Sequence, residues 1–155
     1  MSERRARRRR SINGWLPLSF AIALVDAGEH GKIASFVAGV PFACVLPAAI
    51  APLQGSTRAL VNVLLKLGCH EFVCVGAEAR HLEDALDEIV EDAGRMDVVT
   101  TAIEEAKEAA EYVLFAVGCL TSHVVLVDGE CGVFPAELVK LGAVPRSSGG
   151  NEEGL

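Results

Sequence analysis

Hydrophobic residues along this chain change their period several times, and each change marks an element. In "EFVCVGAEARHLEDALDEIVED", residues 71–92, Phe72-Val73-Cys74-Val75 is apolar at every position and rich in branched and aromatic side chains. That pattern predicts a strand over 72–76, covered on both faces. From Glu78 onward, Leu82, Ala85, Leu86, Ile89 and Val90 recur at the spacing of a buried helical stripe, which predicts a helix over 78–92. The same reasoning gives strands over 20–26 (FAIALVD), 41–47 (PFACVLP), 97–101 (DVVTT) and 123–128 (HVVLVD). A helix is predicted over 56–68, with Ser56 or Thr57 to cap it and Gly68 to end it. Another is predicted over 103–117, with Ala106, Ala109, Ala110, Val113, Leu114 and Val117 inward, and a short one from about Pro135 to Leu141. Residues 29–39 read as a short helix or an irregular segment, and Gly and Pro interrupt regular patterns throughout 27–55.

Strands that alternate with helices of a dozen or more residues require parallel crossovers. The predicted fold class is therefore α/β: a three-layer α/β/α sandwich around a small, mostly parallel, Rossmann-like sheet of about four to five strands. A length of 155 residues at 51% apolar composition suits one domain with a full aliphatic core. The expected organisation is an Arg-rich disordered arm over 1–12, one α/β domain over 13–144, and a flexible tail over 145–155.

The stretch "LVNVLLKLGCHEFVCVGAEARHLEDALDEIVED" followed by "DVVTT" resembles an uncharacterised bacterial domain-of-unknown-function family over about residues 59–117. The shared features are a Leu-rich helix, a Gly-Cys turn, an apolar strand ending in Gly, an acidic helix, and a strand closing on Thr-Thr. The resemblance implies an α/β fold and no particular reaction. Where the family pattern continues into a Trp-His pair, this chain has Ala102-Ile103.

Charge is unevenly spread. Residues 1–10 carry six Arg and one Glu, a net of +5, while the other 145 carry eight cations against 20 acids, a net of −12, together giving −7. An acidic body argues against nucleic acid as its main ligand, and 5% aromatic content leaves few stacking platforms. Nucleic acid is expected only through the arm, if at all. "MSERRARRRR" has three readings: a solvated arm, an arm that touches an anionic surface, or the start of a targeting segment continuing into "WLPLSFAIALV". The last reading would export the protein; the expectation otherwise is cytoplasmic. The apolar run is short and broken by Pro17, so no membrane span is expected.

Cofactor and metal signatures are missing. There is no GxGxxG, no GxxxxGK[ST] and no CxxC, and "CHEFVC" places Cys69 and Cys74 awkwardly for one metal, so neither a cofactor nor a metal is expected. The five cysteines are read as reduced, with Cys44, Cys69 and Cys74 in or beside apolar runs.

Parallel strands share one carboxyl edge, where Asp26, Glu78, Thr100, Thr101 and Asp128 are expected to converge. Glu78 at a helix start opposes phosphate binding and complements the helix dipole. "TAIE" (101–104) reads as a capping box that starts a helix, leaving Thr100 freer to face a pocket. His81 is expected to be held by Asp84 on a solvated acidic flank. In "VDGECGVF" (127–134), Asp128 and Cys131 are the candidates, although an Asp-Gly turn accounts for the loop without chemistry. Glu83, Asp84, Asp87, Glu88, Glu91 and Asp92 put six carboxylates into ten residues and form the candidate interaction surface.

Two functions fit these residues. The first is a non-catalytic interaction or ligand-sensing protein that meets a protein partner, or a second copy of itself, through the acidic helix or the basic arm. The alternative is a hydrolase-type enzyme acting on a neutral or cationic small molecule, with Asp26, Glu78 and Asp128 as its acid–base set.

Overall fold

A computed structural model describes residues 21–26, 28–48, 54–117, 121–127 and 146–147. In chain order its elements are β1 (Ala21–Val25), α1 (His30–Val37), β2 (Phe42–Pro47), α2 (Gln54–Leu67), β3 (Cys69–Val75), α3 (Ala79–Asp92), β4 (Val99–Ile103), α4 (Ala106–Tyr112), a π-helical turn (Val113–Val117), β5 (His123–Val127) and β6 (Arg146–Ser147). All strand pairs are parallel, and the sheet order is β4-β3-β2-β5-β1-β6. The expected α/β sandwich is present.

Helix placement follows from the direction of travel. The connections β1→β2, β2→β3 and β3→β4 all move toward the β4 edge, so right-handed crossovers put α1, α2 and α3 on one face. The return from β4 to β5 runs the other way, and α4 with its π turn covers the opposite face. Two cores result. One packs Ile33, Val37, Val61, Leu64, Leu82 and Leu86 against Phe42, Cys44, Phe72 and Cys74. The other packs Ala109, Ala110, Val113, Leu114 and Val117 against Ala43, Val45, Val73 and Val75. Each large side chain removed from water here contributes roughly 1.5–3 kcal/mol.

Several boundaries moved. β3 begins at Cys69, three residues before the expected start, because a bulge accommodates its first turn: Phe42 pairs with Cys69 but Ala43 pairs with Glu71. His70 is the extra residue in that bulge, which re-aims its side chain. β4 is Val99–Ile103 and α4 starts at Ala106, whereas the sequence pattern placed a strand over 97–101 and a helix from 103. Ile103 is buried and pairs with Val75, so sheet pairing keeps the backbone extended past the capping signature. Segment 29–39 is helical over His30–Val37, anchored by Ile33 and Val37. Five strands make up the sheet as expected, and a two-residue sixth, Arg146–Ser147, which the sequence pattern placed in the tail, pairs with Ala23 and Leu24 of β1. The predicted arm, residues 15–20 of the export segment and the helix near 135–141 lie outside the described residues, while residues 21–25 of that segment form β1.

Gly68 sits at φ +108 and Gly76 at φ +134, a region where side chains are strained. Gly68 turns α2 directly into β3, and Gly76 turns β3 toward α3.

Candidate functional site

The carboxyl edge does not gather the residues expected there. β1 and β3 are separated by β5 and β2, so the strand ends bearing Asp26 and Glu78 are three spacings apart, about 14 Å. Paired-carboxylate hydrolysis uses carboxyl groups about 5–9.5 Å apart. Asp26 is exposed in a turn of its own, where its backbone N–H donates to Glu29 Oε1 at 2.9 Å. Glu29 also pairs with Lys32 at 2.7 Å, and that bond holds its carboxyl below the usual carboxylate range. Asp128 and Cys131 lie outside the described residues.

The Gly76 turn is committed to the fold. The Gly76 N–H donates to Ile103 O at 3.2 Å, the Glu78 N–H to Ala48 O at 2.7 Å, and the Ala79 N–H to Gly76 O at 3.1 Å. These amides therefore tie three parallel strand ends together and are not free to cradle an anion. The Glu78 side chain meets His81 Nδ1, so His81 is held by Glu78 and not by Asp84. This follows from the N-cap position of Glu78, one helical turn before His81.

Thr100 and Thr101 are the second and third residues of β4, not its carboxyl end. They point to opposite faces, as strand geometry requires. Thr100 Oγ1 donates to Asp87 Oδ1 of α3 at 2.5 Å. Thr101 caps no helix; its hydroxyl donates to Glu71 Oε2 at 3.4 Å and also lies 3.4 Å from Tyr112 Oη. Tyr112 Oη donates to the same Glu71 oxygen at 2.5 Å. Burial, then the bond to Glu71, raises the Tyr112 phenol above its ordinary value, against an opposing effect of Thr101.

This polar cluster was not anticipated. Glu71 is only 7% exposed, in a strand otherwise apolar from Phe72 onward. One residue earlier, the bulged His70 places Nε2 2.5 Å from Oγ1 of the buried Thr121, just before β5. The signals were a Glu at the head of an apolar strand and the chain's single Tyr, beside the inner face of a helix. Their 41-residue separation hid the pairing.

Helix α3 keeps its predicted stripe, with Ala79, Leu82, Leu86, Ile89 and Val90 buried. Its opposite face carries the acids. Arg58 reaches Asp92 at 3.3 Å and Thr100 satisfies Asp87, while Glu83, Asp84, Glu88 and Glu91 make no ion pair among the described residues. Partial burial, then Asp87 and Asp84, raises the Glu83 carboxyl, with Arg80 opposing. Asp87 and Glu91 border an open groove of about 290 Å³ whose other walls are Val90, Met96 and Val98. Met96 is 77% exposed, an apolar side chain beside two carboxylates.

Among the described residues, no three His, Cys, Asp or Glu side chains are grouped to hold a metal ion, and no helix is long and apolar enough to cross a membrane. Comparison of the chain with protein-family models, with curated proteins and with solved structures returns no match.

Proposed function

We propose that this chain is a non-catalytic interaction or ligand-sensing protein of the uncharacterised bacterial α/β family it resembles, working in the cytoplasm. On this reading the acidic face of α3 receives a basic partner. The observation that carries it is the groove in which Asp87 and Glu91 flank Val90, Met96 and Val98. Four further carboxylates lie on the same helix, and nothing in the packing of the inner stripe requires such one-sided charge. A cationic segment with some apolar character would find both charge and contact area there. The hydrolase reading has no comparable support, given the spacing of Asp26 and Glu78.

The test is titration of the full chain with a short, blocked Arg/Val peptide at low salt and above 0.15 M, where charges beyond about 8 Å are screened. Binding is expected to weaken steeply with salt and to fall further in the Asp87→Lys, Glu91→Lys double variant. Salt-insensitive binding, or none by the wild type, would reduce α3 to a solubilising face.

A further inference from the structure

We infer that the open edge of β4 is a strand-addition site for an extended basic segment of a partner chain, lying between the acidic flanks of α3 and α4. The inference rests on the reading of α3 as an acidic interaction surface and specifies how the partner is held.

Among the described residues, β4 ends the sheet and pairs with β3 alone. The Gly76 N–H donates to Ile103 O, so the peptide groups of Ile103 face β3. Strand alternation turns those of Thr101 and Val99 the same way and those of Thr100 and Ala102 outward. Two N–H and two C=O groups therefore stand along the free edge, with no strand beyond them among the described residues.

Edges of this kind are commonly blunted by a charge, a proline or a bulge within the strand. β4 reads VTTAI and carries no charge and no proline, and its register with β3 is regular. Charge is found instead on either side of it. On the α3 face, Asp87 contacts Thr100 directly and Glu91 lies along the groove. On the α4 face, Glu108 is exposed one turn before Tyr112, whose hydroxyl lies beside Thr101. Val99 is 52% exposed on that side and Met96 77% exposed near the strand's start.

An added strand sends successive side chains to opposite faces. Here both faces are acidic, so consecutive basic residues would each meet a carboxylate. The same charges disfavour edge-to-edge pairing with the sheet of a second copy, which would bring one acidic body against another. The edge thus admits basic extended segments and resists sheet-to-sheet pairing of identical chains.

The experiment uses the full chain and two blocked Arg/Val peptides of identical sequence, one of them N-methylated at alternate amides. N-methylation keeps charge and side chains but removes the N–H groups that a ladder needs. The unmodified peptide is expected to bind at least about tenfold more tightly, the scale of one or two lost hydrogen bonds. It is also expected to slow amide exchange at Thr100 and Ala102. Equal binding of both peptides without protection of those amides overturns the inference; if the α3 double variant still weakens both, the acidic-surface reading survives alone. Concentration-dependent protection of Thr100 and Ala102 without peptide would make a second copy the occupant and overturn it equally.

Discussion

Tyr112 Oη donates a hydrogen bond of 2.5 Å to Oε2 of Glu71, joining the end of α4 to the first half of β3 across 41 residues of sequence. The bond gives a buried carboxylate a short donor, with Thr101 as a longer one at 3.4 Å. Tyr112→Phe keeps the ring and removes that donor. It is expected to cost roughly 1–3 kcal/mol, the penalty for leaving a buried acceptor under-satisfied. Urea unfolding of the two proteins measures it. Unchanged midpoints would mean that water or Thr101 replaces the phenol without loss.

Glu83 gives a pH signature. Its carboxyl is raised above 4.5 by burial and by Asp87 and Asp84, so the folded state holds the proton more tightly than the unfolded state. A raised carboxyl makes stability fall as pH rises through the interval from the unfolded value to the folded one. Glu83→Gln is therefore expected to stabilise at pH 7, by about a few tenths of a kcal/mol for relief of like-charge neighbours. The advantage should vanish in acid, where Glu83 is protonated in both states. Thermal melts of both proteins across that range would show the convergence; parallel curves would contradict it.

Three cysteines lie in the core. Cys44, Cys69 and Cys74 are buried and free, and burial pushes all three thiols well up. Cys69 also donates to Glu71 O at 3.3 Å. A thiol that is both shielded and protonated is a poor nucleophile. These three are expected to resist an aromatic disulfide reagent in the folded protein and to react once it is unfolded in guanidinium. Mass-mapped labelling of any of them under native conditions would show that the core opens locally.

The parallel sheet was legible because apolar runs such as Val124–Val127 and Phe72–Val75 leave little alternative to burial on both faces. The inner stripe of α3 was legible for the same reason. What misled was local chemistry. "TAIE" is a sound capping signature, yet Thr101 hydrogen-bonds to Glu71 and Ile103 pairs with Val75, so long-range pairing overrode it. Of the carboxyl-edge candidates, Thr100 and Thr101 sit within β4, Asp128 lies outside the described residues, and Asp26 and Glu78 are parted by strand order. β2 and the inserted β5 both stand between β1 and β3 and keep Asp26 away from Glu78, and no window of sequence encodes that order.

That insertion also bears on how the protein comes into being. β2, β3 and β4 are consecutive in the chain and adjacent in the sheet, so they can assemble with α2 and α3 as soon as they leave the ribosome. β1 cannot join them. Its partners are β5 and β6, which begin at His123 and Arg146, about 100 and 125 residues after Ala21. β1 must therefore wait for strands made well after it, and its apolar residues Ile22, Ala23 and Val25 stay without a sheet until the slot beside β2 is filled. Contacts so distant in sequence slow folding and lengthen the exposure of unpaired strands. For this chain the vulnerable period is translation itself.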